Sequence, residues 1–407
     1  MSQLKLKEKN DAVKQSLVSF WLDSSGGPKD LCKNSFYGTD PKYYFYGSLN
    51  EINLTDCESG AITFAQENCF DFLEEKILEE KHNLDGMFVG YFSYDLSDFF
   101  FAYFDNISRH CEEGQSPDEA ISQTVSRYGD CFVTNVPRND VKDLSSNMTD
   151  SEYLEKVKRI KEEIKAGNVY QVNLTREYFL NVNSIDELDL YLKLRTVSPN
   201  PYGCYFKTPF VSILSSSPEE FLYANLKTKR IRTRPIKGTF PKDIFEIDPK
   251  NQAENIMIVD LERNDLGKIC QYGSIKAKKL LEIESYRHLN HVVSTVEGKL
   301  KPDIKLKEIF EAMFPSGSIT GAPKIAAMKL IEQIEPTKRG VYTGSFGYIK
   351  TDGTMNFNIL IRTIFINSEK IVFGVGGGIV ADSDPQSELE EIKLKAKGIM
   401  SALCGSS

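Results

Sequence analysis

One lysine stands between a proline and a glycine in the run Arg232-Thr233-Arg234-Pro235-Ile236-Lys237-Gly238-Thr239. Pro235 stiffens the approach, and Gly238 leaves out a Cβ, so that another backbone or a ligand can come close to the lysine. Desolvation and the neighbouring cations Arg232 and Arg234 both favour the neutral amine, and a neutral amine is a nucleophile. Taken in isolation, the stretch is more ordinarily a strand ending in a turn with an exposed lysine. An acid upstream makes the first reading sharper. Residues 213–223 read as a strand, 225–229 as a turn and Ile231 onward as the returning strand. Residue 228, inside that turn, is the midpoint between Glu219 and Lys237, so a hairpin without a bulge sets carboxyl and amine across from each other in one cleft.

Three further carboxylates fall on helical patterns. A helix predicted over 251–266, preceded by Asp248-Pro249 and closed by Gly267, carries Glu254 on the stripe of Met257, Ile258 and Leu261. A lone glutamate on an apolar stripe needs a salt bridge or a bound cation. The last helix, beginning near Asp384-Pro385, carries Glu388, Glu391 and Lys395 beside Leu389, Ile392, Ala396 and Ile399. Such a set is either an exposed salt-bridged face or, together with Glu254, a source of hard oxygen ligands for Mg²⁺.

Other residues could receive an anion. Strand-like runs at 341–350 and 357–363, joined by Thr351-Asp352-Gly353, predict that Tyr342 and Arg362 lie in neighbouring strands, and an arginine in an apolar run calls for an anion. Gly376, Gly377 and Gly378 follow a strand and offer either backbone N–H groups to a carboxylate or a tight bend. Gln171 and Asn173 share one face of the alternating run 169–175, lining a pocket or facing solvent. His288 and His291 stand three apart, and two histidines alone are more often structural than ligands. The glycine-containing run 314–324 lacks the Gly-Lys-Ser/Thr ending of a phosphate loop, which argues against nucleotide there; Pro323 instead opens a helix that Pro336 stops.

The elements that must position these residues divide the chain in two. Residues 1–145 alternate aromatic strand-like runs with turns, for example 42–47 and 87–94, and 99–104 reads as a core strand or a buried pocket wall. A polar link at 139–148 leads to a second unit, 149–404, which opens with a capping box of Thr149 and Glu152 and the helical spacing of Leu154, Val157, Ile160 and Ile164 up to Gly167. With 407 residues, 41% hydrophobic and 27% charged, the chain can bury a large core. A net charge of −8 argues against a nucleic-acid partner and requires a locally positive pocket for an anionic substrate. No apolar run reaches membrane-spanning length and the first residues are polar, so a cytoplasmic location without a membrane partner is expected. The eight cysteines form no Cys-x-x-Cys pair, and the four histidines are too few for a histidine-rich metal site.

Taken together, these motifs resemble the chorismate-utilising enzymes, closely from Thr149 onward and more faintly before it. Pro235-Ile236-Lys237-Gly238-Thr239 is similar to the branch that includes component I of aminodeoxychorismate synthase; anthranilate synthases typically carry alanine where Lys237 stands. Gln171 stands where isochorismate and salicylate synthases carry a water-activating lysine. The resemblance implies an α+β fold of large antiparallel β-sheets packed on one another with helices outside. It implies that Lys237 adds to C2 of chorismate while Glu219 protonates the departing C4 hydroxyl, and that ammonia then displaces the lysine at C4 to give 4-amino-4-deoxychorismate, a precursor of p-aminobenzoate and folate. It assigns Mg²⁺ to Glu254 and Glu391 with Glu388 near by, and carboxylate binding to Tyr342, Arg362, Gly376, Gly377, Gly378 and Lys395. Gln171, Thr239 and His291 also match pocket positions of the family. The segment between Lys237 and Glu254 is shorter than in the familiar bacterial enzyme, and no motif in the N-terminal half decides whether it holds tryptophan as its family counterpart can. No cysteine lies in a Gly-x-Cys-x-Gly elbow, so the ammonia is expected from a separate glutamine amidotransferase subunit. Two other readings remain open here: anthranilate synthase component I, and a non-catalytic chorismate-binding subunit.

Overall fold

A computed structural model describes residues 17–24, 35–110, 144–182, 185–243, 245–286, 289–367 and 370–404. Its strands form two antiparallel sheets, one of 10 and one of 12 strands. The smaller sheet runs Gly321–Ala322, Gln171–Asn181, Lys370–Ile379, Thr363–Ile366, Ser212–Ser217, Tyr202–Lys207, Ser19–Asp23, Ser35–Thr39 and Ser108–His110, with Ser145–Ser146 against Gln171–Asn181. The larger runs Ile236–Pro241, Leu289–Lys299, Arg230–Arg234, Glu220–Asn225, Thr354–Asn358, Ser345–Lys350, Met87–Phe92, Phe99–Phe104, Tyr43–Ser48, Glu51–Asp56 and Ile62–Ala65, with Lys276–Ser285 also on Leu289–Lys299. Strands from before residue 145 pair with later ones in both sheets: Gly90 stands opposite Gly347, and Trp21 opposite Tyr205.

The sheets pack face to face. Phe20, Phe36 and Phe206 of one meet Val89, Phe100 and Phe346 of the other. Helices cover both outer faces: Cys69–Glu79, Pro249–Ile269 and Leu306–Met313 over the larger sheet, and Asp150–Lys165, Glu187–Val197, Lys324–Ile334 and Pro385–Cys404 over the smaller. This is the α+β arrangement of sheets inside and helices outside that the resemblance implied. It also explains Phe99–Phe104, whose six residues are all buried and show no polar alternation. Phe99, Phe101 and Tyr103 face the helices while Phe100, Ala102 and Phe104 face the opposite sheet, so both faces of the strand are apolar. The strand is core and not a pocket wall.

Local signals act as their chemistry dictates. Thr149 Oγ1 accepts from the Glu152 amide at 3.2 Å and the Glu152 carboxylate accepts from the Thr149 amide at 2.7 Å, closing the capping box, and Gly167 takes a φ of 79° just beyond the helix. Three expectations are corrected. The helix predicted over 251–266 spans Pro249–Ile269 and runs through Gly267, around which space is open; it ends at Cys270, whose backbone is extended. Residues 213–223 are two strands, Ser212–Ser217 in the smaller sheet and Glu220–Asn225 in the larger, because Pro218 cannot donate to a ladder. Tyr342 and Arg362 lie outside strands, in the turn before Ser345–Lys350 and in the passage between Thr354–Asn358 and Thr363–Ile366.

Phe92 joins the two halves of the helix-side core, with ring centroids 4.9 Å from Phe101, 4.9 Å from Phe310 and 5.1 Å from Phe70. Truncation at this site leaves a cavity bounded by three elements, so Phe92→Ala is expected to lower stability by about 3 to 5 kcal/mol. Urea unfolding followed through far-ultraviolet dichroism measures it, and a loss below about 1 kcal/mol contradicts this packing.

Candidate active site

Pro218 and Glu219 carry the chain from the smaller sheet to the larger, and residues 359–362 carry it back. The two crossings lie side by side: the Ile359 amide donates to the Glu219 carbonyl at 3.1 Å, and the Ser217 hydroxyl donates to the Ile359 carbonyl at 2.7 Å. Glu219 is therefore fixed at 4% exposure, its Oε1 accepting from the Ile236 amide at 3.2 Å. The uninterrupted hairpin of the sequence does not exist. Tyr223 pairs with Arg232 but Glu220 with Arg234, so a bulge shifts the register. After Pro235 the strand Ile236–Pro241 leaves that pairing for Leu289–Lys299. Lys237 consequently does not face Glu219 across a ladder. The two still meet at the loop 316–318: Lys237 Nζ donates to the Ser318 carbonyl at 2.8 Å, and the Ser318 side chain lies near enough to Glu219 to favour its ionised carboxylate. Burial raises the Glu219 pKa above the usual carboxylate range, opposed by Lys237, Ser318, the Ile236 amide and Arg362. A carboxyl that holds its proton to higher pH suits a general acid.

Lys237 Nζ also lies 3.3 Å from Glu254 Oε1, and the same oxygen accepts from Gln171 Nε2 at 2.6 Å. Gln171 is thus buried and bonded inside the site and does not face solvent. Two glycines make this arrangement possible. A Cβ on Gly378 would stand 2.2 Å from Gln171 Nε2 and 2.8 Å from Glu254 Oε1, and Gly238 holds a φ of 92° beside Val292 and Asn251.

Glu388 and Glu391 approach from the last helix. Glu388, 3% exposed, accepts from the Ser383 hydroxyl at 2.6 Å and lies 3.5 Å from Lys250 Nζ; Glu391 pairs with Lys395 at 2.7 Å. Burial pushes the Glu388 carboxyl up, whereas Glu391 sits low because Lys395 and other cations outweigh its partial burial. The carboxylates gather at adjacent glycines: the Cβ position of Gly377 is 3.5 Å from Glu388 Oε2 and 4.0 Å from Glu391 Oε1, and that of Gly378 touches Glu254. Among the described residues no three His, Cys, Asp or Glu side chains stand together closely enough to hold a metal ion. Each of the three glutamates is neutralised by a lysine instead. The donor set is all carboxylate oxygen and fits a hard divalent cation once those lysines yield.

Arg362 is the cation left over. It has a φ of 51°, and among the described residues no carboxylate lies within ion-pair distance of its guanidinium. Desolvation lowers its pKa, against the pull of Tyr286 and Glu219. Tyr342 comes near through its loop, since the Thr343 amide donates to the Leu360 carbonyl at 3.0 Å, and Gly374 leaves room for the Tyr342 ring, 2.6 Å from where a Cβ would be. Gly376, Gly377 and Gly378 form no bend: they continue an extended ladder opposite Thr175, Leu174 and Asn173. Alternate N–H groups, and not three successive ones, can therefore face one edge. Lys395 donates to the Gly376 carbonyl at 3.0 Å. Thr239 and His291 share a hydrogen bond of 2.8 Å, and His291 is 1% exposed under Tyr286; His288 lies outside the described residues.

Sequence reasoning missed the loop 316–318 as part of the site, and with it Glu262. This glutamate has no exposure and accepts from the Ser316 hydroxyl and the Gly317 amide, each at 3.3 Å. Its signal was present: Ile258, Glu262, Leu266 and Ile269 recur at steps of four, four and three on the buried face of the helix. A separate cavity of about 140 Å³ opens between the sheets, lined by Leu22, Ser24, Phe36, Tyr202, Tyr348 and Asn356 among others.

The pattern of the family described as chorismate binding enzyme matches residues 20–401. The chain belongs to the chorismate-binding enzymes. Aminodeoxychorismate synthase component 1 of Bacillus subtilis is 33% identical over 380 residues, covering 82% of this chain and 80% of that protein. The anthranilate synthase component I-like protein of Synechocystis is 40% identical over 266 residues, but this covers 62% of the chain and 54% of that protein. Among solved structures, anthranilate synthase component I of Streptococcus pneumoniae superposes with a TM-score of 0.72 at 23% identity, covering 90% of this chain and 92% of that one. The menaquinone-specific isochorismate synthase of Escherichia coli gives a TM-score of 0.69 at 17% identity, covering 97% and 91%. These two likenesses speak for the fold. No helix among the described residues of this chorismate-binding chain is long and apolar enough to cross a membrane.

Burial, with Arg362 beside it, pushes the His291 imidazole down to about 3. The folded state therefore excludes a proton that the unfolded chain takes up below its ordinary pKa, so this contribution is present above about pH 6.5 and is lost as pH falls toward about 3. Between about pH 7.5 and pH 5 the wild type should lose about 2 kcal/mol more unfolding free energy than His291→Gln. Parallel urea titrations check this, and equal losses in both proteins would remove His291 from the acid sensitivity.

Proposed function

We propose that the chain aminates chorismate at C4 to 4-amino-4-deoxychorismate, in the cytoplasmic route to p-aminobenzoate and folate. The observation that carries this reading is the convergence of Lys237 and Glu219 on Ser318, with an uncommitted Arg362 beside them. In its neutral form, released from Glu254, Lys237 is the nucleophile at C2. The C4–O bond breaks as Glu219 gives its proton to the departing oxygen, and water leaves. Ammonia then forms the C4–N bond while the C2–N bond to Lys237 breaks and returns the amine. Covalent catalysis of this kind divides one hard displacement into two easier ones.

The remaining residues bind and orient. Arg362 and Tyr342 receive a substrate carboxylate from one side, and Lys395 with the open-edge amides among Gly376, Gly377 and Gly378 from the other. Gln171 holds Glu254 in place, Thr239 and His291 close the pocket wall, and a neutral His291 adds no charge near Arg362. Glu254, Glu388 and Glu391 would hold Mg²⁺, which would neutralise a substrate carboxylate against these acids. Ammonia is supplied by a glutamine amidotransferase subunit, because this sequence has no cysteine in a nucleophile elbow.

A second reading, anthranilate synthase component I, is favoured by the 40% identity to the Synechocystis protein. Product analysis with chorismate, Mg²⁺ and an ammonium salt separates the two: anthranilate with pyruvate release would replace our assignment. Absence of any product would favour a non-catalytic chorismate-binding subunit. Lys237→Ala should lower amination by orders of magnitude, on the order of 10³-fold, with little change in chorismate binding. With chorismate and no ammonia, mass spectrometry of the wild type should find an adduct on the peptide containing Lys237 that the variant lacks. Near-wild-type turnover of Lys237→Ala would leave direct attack by ammonia as the mechanism.

A further inference from the structure

Glu262 is a buried carboxyl that none of the chemistry above uses. It occupies the inward face of the helix Pro249–Ile269, where packing alone would select an aliphatic side chain, and it has no exposure. Its Oε1 accepts from the Ser316 hydroxyl and the Gly317 amide; its Oε2 has no hydrogen-bond partner among the described residues. Ser316 Oγ lies 3.2 Å from Ser318 Oγ, and either oxygen can donate. The Ser318 side chain neighbours the Glu219 carboxyl and favours its ionised form. Two hydroxyls thus lie between the two carboxyls, and the whole group is sealed: Glu219 and Ser316 are 4% exposed and Ser318 is 3% exposed.

The charged groups that act on Glu262 come from each side. Lys324 approaches from the helix Lys324–Ile334, Asp265 from its own helix and Glu219 from the far end of the line, while the helix Leu306–Met313 contributes apolar residues. Lys324 is itself bonded to Asp265 and to the Met313 carbonyl, so it offsets charge on Glu262 without pairing with it. Burial pushes the Glu262 carboxyl up to about 7, with Asp265 and Glu219 adding to the rise and Lys324 and Ser316 opposing it. At neutral pH this group can both give and take a proton.

We propose that Glu262 is the proton reservoir of Glu219, exchanging protons with it through the hydroxyls of Ser316 and Ser318. The proposal rests on Glu219 acting as the acid in the amination reaction. Once Glu219 has given its proton to the departing C4 oxygen, it is a carboxylate shut off from water. It takes the Ser318 hydroxyl proton, Ser318 takes that of Ser316, and Ser316 takes that of Glu262. Every O–H bond broken is replaced by one formed, and the negative charge moves from Glu219 to Glu262, where Lys324 offsets it. The proton lost by the new C4 ammonium returns along the same line and restores Glu262. Glu262 touches no reacting atom; it acts through Glu219.

The test separates relay from packing. Glu262→Gln keeps an oxygen for Ser316 and Gly317 but cannot give up a proton, and Ser316→Ala cuts the line while leaving Glu262 in place. The turnover of wild type, supplied with chorismate, Mg²⁺ and ammonium, should fall on the alkaline side near pH 7. Both variants should lower kcat by about tenfold or more, lose that inflection and keep KM for chorismate within about twofold. Glu262→Asp should recover part of kcat and the inflection. Wild-type kcat and pH profile in either variant would overturn the relay, as would a lower kcat with a raised KM and an unchanged profile. If Glu262→Gln fails to fold, Ser316→Ala alone decides. A wild type that makes no amino product overturns the functional reading and the relay with it, whereas a productive wild type with indifferent variants overturns the relay alone.

Discussion

A strand that leaves one sheet for another gives up its ladder hydrogen bonds for several residues, and those backbone groups must be satisfied elsewhere. Two of this chain's crossings lie side by side, at 218–219 and at 359–362, and each satisfies the other: Ile359 bonds Glu219, and Ser217 bonds Ile359. The crossings cannot separate without exposing buried carbonyls. Because paired strands flank both crossings, Glu219 and Arg362 are placed side by side in the interior. Glu219 and Arg362 sit where regular structure stops, Lys237 sits on a strand beside them, and the surrounding ladders keep these positions in place.

The same constraint decides what could be read in the sequence. Signals that depend on a few adjacent residues were legible: the capping box of Thr149 and Glu152 and the doubly buried strand Phe99–Phe104. The resemblance to chorismate-utilising enzymes rested on such local motifs and implied the packed sheets correctly. What depended on long-range register was not legible. The bulge after Glu220 and the switch of Ile236–Pro241 to another partner undid the simple hairpin, yet the loop 316–318 brings Glu219 and Lys237 to the same residue. Tyr342 and Arg362 read as strand residues because their neighbours are apolar, but that apolarity comes from buried crossings. Gly267 read as a helix stop because glycine usually is one; open space around it and the packing of Ile269 let the helix continue. Glu262 was passed over because its partners, Ser316 and Gly317, lie far along the chain in a loop that nothing in the sequence ties to it.

Charge gives the remaining organisation. Lys237, Lys250 and Lys395 neutralise Glu254, Glu388 and Glu391, so the pocket is internally balanced although the whole chain carries −8. Only Arg362 is uncommitted among the described residues of the pocket. An anion can therefore enter without first breaking an ion pair at Arg362, whereas a cation can reach the glutamates only by displacing lysines. Lys237 and any such cation compete for the same Glu254 oxygen, which Gln171 holds in place from the other side. Removing one partner of a buried pair leaves an uncompensated charge, so the occupancy of Glu254 and the position of Lys237 are energetically coupled. Gln171, Gly378 and Lys237 then form one steric and electrostatic unit around Glu254. A larger side chain at Gly378 would strike both Gln171 and Glu254, and would disturb the lysine without touching it.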